Sequence, residues 1–95
     1  MTDIAVRAKD RLRLEEFELT EDAINVVAAM MGFTVTDLLA ERAKENPNKE
    51  KITELEKKHL ALGRERLDVY GGNDEVKRSV IERYSEYIRE RVANA

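Results

Sequence analysis

Ninety-five residues with no cysteine and a single histidine, His59, hold one small domain. They exclude a disulfide framework, a thiolate metal site and a histidine zinc site within one chain. The formal net charge is −3, but residues 1–14 carry Arg7, Lys9, Arg11 and Arg13 against Asp3 and Asp10, residues 15–46 carry a net of −6, and residues 47–95 a net of +1. A local basic arm can hold phosphates in an acidic chain, because salt screens distant charge beyond about 8 Å. The N-terminus has no apolar signal core, and no apolar run reaches membrane-spanning length, so a cytoplasmic protein without membrane contact is expected.

Residues 1–10 read as a short arm. Arg11-Leu12-Arg13-Leu14 alternates polar and apolar, the pattern of a strand with its leucines on one face and its arginines on the other. Four residues form a stable strand only when paired. The chain offers no second candidate, so the partner would be the same segment of a second copy. Thr20, followed by Glu21 and Asp22, opens a helix whose apolar face is Ala23, Ile24, Val27, Ala28 and Met31. Gly32 ends it in a left-handed turn, Phe33 fills the corner, and Thr34 or Thr36 caps a second helix. That helix runs from about Thr36 to Glu45 and presents Val35, Leu38, Leu39 and Ala43. Asn46-Pro47-Asn48 stops it, because proline disfavours helix in the residue before it.

Residues 47–95 form a second unit beside the first, residues 1–46. Lys49 to about Tyr70 is a long helix with a narrow stripe of Ile52, Leu55, His59, Leu62, Arg66 and Val69. Gly71-Gly72-Asn73 is a turn, and Asn73 or Asp74 caps a last helix over residues 75–93. Its apolar face is Val76, Val80, Ile81, Tyr84, Ile88 and Val92. Two long helices across a short turn predict an antiparallel hairpin. His59 reads as a surface or interface histidine, and Tyr70, Tyr84 and Tyr87 as core-edge residues.

From Arg11 to Ala43 the order of short strand, helix, glycine turn and helix resembles the ribbon-helix-helix family of Arc- and MetJ-type repressors and antitoxins. The resemblance rests on Arg11-Leu12-Arg13-Leu14, on Ile24, Val27, Ala28 and Met31, and on Gly32-Phe33-Thr34-Val35-Thr36-Asp37-Leu38-Leu39. It implies a mainly α fold with one strand paired across a homodimer, followed here by the helical hairpin. It also implies a transcriptional repressor or autorepressing antitoxin that lays its ribbon in the major groove of double-stranded DNA. Arg11, Arg13 and Glu15 would then face the bases, Lys9 would add to the basic arm, and Thr34 and Thr36 would anchor phosphates at a helix N-terminus. Residues 47–95 would serve assembly or a protein partner.

Three alternatives stand beside this reading. A helix-turn-helix would present Asp37 and Glu41 to DNA, a poor recognition surface. A histone-like fusion of residues 20–45 into one helix runs against Gly32, which costs about 1 kcal/mol in a helix interior, and against the capping threonines. An all-α interaction module, such as an immunity, inhibitor or assembly protein, would use the acidic middle segment against a basic partner without DNA. The conformation of residues 11–15 separates this last reading from the first, strand favouring DNA and helix favouring protein. No nucleophile–base pair, phosphate loop or metal spacing occurs, so neither catalysis nor a cofactor is expected.

Overall fold

Leucine, arginine, lysine, glutamate and alanine dominate residues 4–19, and neither glycine nor proline occurs before Gly32. These are strong helix formers, and helix α1 runs unbroken over Thr2–Arg42, 41 residues. The structure, a computed structural model, describes the backbone of residues 2–94 and the side chains of residues 15–94. No strand occurs among the described residues, and Arg11–Leu14, expected to be a strand, is helical. A ribbon needs a second edge before it gains anything, whereas extending an existing helix adds one hydrogen bond per residue without a new nucleus. The ribbon-helix-helix architecture is therefore not the fold of this chain; only its mainly helical character holds.

The break expected at Gly32 is also absent. The residues read as caps are instead bonded inside the helix. Thr20 Oγ1 donates to the Glu16 carbonyl at 2.9 Å, Thr34 Oγ1 to Met30 at 2.8 Å and Thr36 Oγ1 to Gly32 at 3.0 Å. A threonine hydroxyl can satisfy itself on the carbonyl four residues back as readily as it caps a helix. Fusion also keeps one seam in register. Ala23, Val27, Met30, Thr34 and Glu41 are buried and Asp37 is half-buried, in alternating steps of four and three. Of the expected faces, Ala23, Ile24, Val27, Met31 and Leu38 do turn inward. Ala28, Val35 and Leu39 are exposed, because an unbroken helix carries them to the far side, and Ala43 is exposed in the turn that follows α1.

α1 ends at Arg42, three residues short of the expected Glu45, and Asn48 caps α2 (Lys49–Gly71), its side chain accepting from the N–H groups of Glu50 and Lys51. Asn73 caps α3 (Asp74–Ala93) by accepting from the Val76 N–H at 3.0 Å. Gly72 between them is extended, so its role is steric: a Cβ there would meet the Asp68 carbonyl oxygen at 2.7 Å. On α2 the expected stripe holds at Ile52, Leu55, His59, Leu62 and Val69. Arg66 is exposed, and Gly63 and Glu65 turn inward in its place.

α1 is the central helix, with α2 and α3 packed along it and meeting one another more sparsely. The contact of Met31 with Gly63 and the pair Arg42–Glu56 show that α2 returns antiparallel to α1. Asp37–Arg91 at one end, and Asp74 beside Asp22 at the other, show that α3 runs parallel to α1. The core is Ala23, Val27, Met30, Leu62, Val69 and Val80, flanked by Ile24, Val26, Met31, Phe33, Ile81, Tyr84 and Ile88. α3 begins beside residues 15–22, so the turns of α1 before Glu15 project beyond the bundle. The radius of gyration is 17.9 Å and the long axis 70 Å; a compact chain of this length would have a radius near 12 Å.

Candidate protein-docking site

Where α1 leaves the bundle it passes the first turn of α3. Glu15, Glu16, Glu18, Leu19 and Asp22 from α1, with Asp74 and Arg78 from α3, line an open groove of about 510 Å³. Asp74 is placed there by the Asn73 cap, since acids favour the first turn of a helix. Arg78 is the groove's only base. Among the described residues none of these carboxylates forms an ion pair; all four described pairs lie elsewhere. Phe17 lies between the acids in sequence and is 64% exposed. The arrangement can attract and orient lysine or arginine side chains; Phe17, two residues from Glu15, faces away from the groove on the helix.

The residues expected to contact DNA all lie on α1. Lys9, Arg11 and Arg13 lie on helical backbone, and their side chains fall outside the described residues. Glu15 is exposed and belongs to the acidic groove. Thr34 is 2% exposed and Thr36 is exposed. Both sit deep inside α1, where backbone N–H groups bond within the helix, so no helix N-terminus is available there for phosphate.

A second cluster holds the other end of the bundle. Arg91 donates to both carboxylate oxygens of Asp37, at 2.6 and 2.9 Å, and to the Tyr87 hydroxyl at 3.0 Å. Its guanidinium stacks 4.6 Å from the centre of Phe33, which meets Tyr87 edge-on at 6.2 Å. The Arg91 hydrogen bond holds the Asp37 carboxyl below its usual range, and Asp37 in turn raises the Arg91 guanidinium. Glu41, 3% exposed, pairs with Lys44, and its Oε1 accepts from the Asn48 N–H at 3.2 Å. The lysine contact is the larger cause of its lowered pKa, opposed by burial. Arg83 donates to Glu65 at 2.9 Å and lies over the Tyr84 ring; burial raises the Tyr84 hydroxyl. These polar groups fasten helices to one another. Among the described residues, no group of three or more histidine, cysteine or acidic side chains is placed to hold a metal.

The segment Glu15–Arg42 is, contrary to the sequence expectation, long and apolar enough by length and composition to cross a membrane. Its Ala23, Val27 and Met30 belong to the core, and 22% of its most apolar stretch is buried. Comparison with protein-family models, curated proteins and solved structures found no match.

Proposed function

We propose that the chain is an all-α protein–protein interaction module whose acidic groove receives a basic segment of another protein. The observation that carries this reading is the grouping of five carboxylates from two helices around one groove. Complementary charge of this kind speeds encounter and selects partners. A non-catalytic role in immunity, inhibition or assembly is part of the same reading. Helical backbone at residues 11–15 supports it over a ribbon that reads DNA.

The test is zero-length carboxylate–amine cross-linking of the full chain in lysate from its source, followed by peptide mapping. Expected products join Glu15, Glu16, Glu18 or Asp22 to a lysine of one recurring protein, and a variant with Glu15→Gln, Glu16→Gln and Glu18→Gln loses them. The reading is overturned if cross-links to that protein survive the triple change. It is equally overturned if the chain binds duplex DNA at low salt and loses that binding on Arg11→Ala with Arg13→Ala.

A further inference from the structure

The outer face of α1 has no cover. Opposite the bundle seam, Ala28, Gly32, Val35 and Leu39 follow one another in steps of four, three and four, and all are exposed, Leu39 at 59%. From Ala23 to Ala40 the helix carries a single charged residue, Asp37, and Arg91 neutralises it on the α3 side. About five turns of helix thus present an uncharged outer surface in a chain that is 39% charged. Gly32 lies at its middle, and a Cβ there would meet nothing within 4 Å, so no neighbour in this chain accounts for the glycine. Charge returns at the two ends with opposite sign, as Glu21 seven residues before Ala28 and Arg42 seven after Val35.

This stripe is its own complement when read backwards. A second helix laid antiparallel about a two-fold axis between positions 31 and 32 sets Glu21 against Arg42 and Ala28 against Val35, and brings the two copies of Gly32 to within one residue of each other. Two-fold contacts require such self-complementarity, and small residues at the crossing let helix axes approach closely. We infer that the outer face of α1 docks a second copy of this chain, α1 against α1 and antiparallel. Among the described residues Arg42 pairs with Glu56 at 3.2 Å, in a half-exposed contact that can exchange partners. An anionic membrane surface is the poorer occupant, because helices that lie on one carry lysine and arginine along their polar face, whereas Glu15, Glu16, Glu18, Glu21 and Asp22 adjoin this one. The acidic groove lies on the α3 side of α1, so this inference does not depend on the basic-partner reading.

The test is analytical ultracentrifugation of the full chain over a concentration series, with neutral and anionic phospholipid vesicles in parallel. A monomer–dimer equilibrium is expected. Glu21→Arg and Arg42→Glu each weaken it by about tenfold, because symmetry applies each change twice, and the double exchange restores it. Gly32→Leu abolishes association while the helical circular dichroism signal of the dilute chain is kept. A chain that is monomeric throughout overturns the inference. So does a dimer that ignores Gly32→Leu, a double exchange that fails to restore association, or vesicle binding in place of the dimer.

Discussion

Asp37 is the only acid between Ala23 and Ala40, and an acid in so apolar a run needs a counter-charge within reach. Arg91, 54 positions away, supplies it with both of its terminal nitrogens. Asp37 and Glu41 both have carboxyls lowered from their ordinary values of 3.8 and 4.5 in the folded chain. Groups depressed in this way contribute stability that is fully present above the unfolded pKa and is lost as pH falls through the folded one. Urea unfolding followed between pH 6 and pH 2 is therefore expected to show stability falling below about pH 4. Asp37→Asn lowers stability at neutral pH and flattens that acid limb. His59 offers the opposite case, since it lies on the α2 seam with its Nδ1 buried and without a hydrogen-bond partner. An unsatisfied buried polar atom costs about 1–3 kcal/mol, so His59→Leu is expected to stabilise the chain by about 1 kcal/mol. The thermal midpoint should then rise by about 4–8 °C.

Glycine separates two kinds of element boundary. Gly32 lies inside a helix with open space where its Cβ would be, so Gly32→Ala is expected to add about 1 kcal/mol of stability. Gly72 stands at a real turn, where a Cβ would press on backbone at Asp68, so Gly72→Ala is expected to cost about 1–3 kcal/mol. Denaturant midpoints of the two variants should move in opposite directions. The same contrast explains what the sequence disclosed. Both boundaries of the hairpin were legible because Asn48, Asn73 and Pro47 act locally, through side-chain acceptors and a missing donor. The course of α1 is not legible because Gly32, Thr34 and Thr36 are locally ambiguous: each letter suits a cap, and each also fits a helix that tertiary packing holds straight. A helix broken at Gly32 puts Ala28, Val35 and Leu39 in the core, whereas the unbroken helix leaves them on an uncovered face. The acidic groove was half legible, since the charge of residues 15–22 is plain in sequence, but Asp74 and Arg78 join it only through the parallel run of α3.

The largest fully buried side chains are three valines, Val27, Val69 and Val80, while Phe17, Leu39, Leu60, Leu67, Tyr70 and Val92 stand in solvent. Folding as a single chain therefore rests on few contacts, and each counts for much. Leu62→Ala, which empties the middle of the α1–α2 contact, is expected to remove about 2–5 kcal/mol, against a total for small domains of about 5–15 kcal/mol. A drop in the urea midpoint without change in the slope would report it. The shape itself gives the sharpest test at this scale. A helix of 41 residues spans about 61 Å at 1.5 Å per residue, and α2, with 23, spans about 34 Å. The difference is helix that the bundle cannot cover. Small-angle scattering of the monomer, extrapolated to infinite dilution, is expected to give a radius of gyration near 17.9 Å. Removal of residues 1–13 should shorten the long axis while the bundle still unfolds in one cooperative transition, because the core begins at Ala23. A radius near 12 Å for the intact chain would mean that α1 breaks and folds back on the bundle. The hinge would then lie near Glu15, where α1 leaves the bundle.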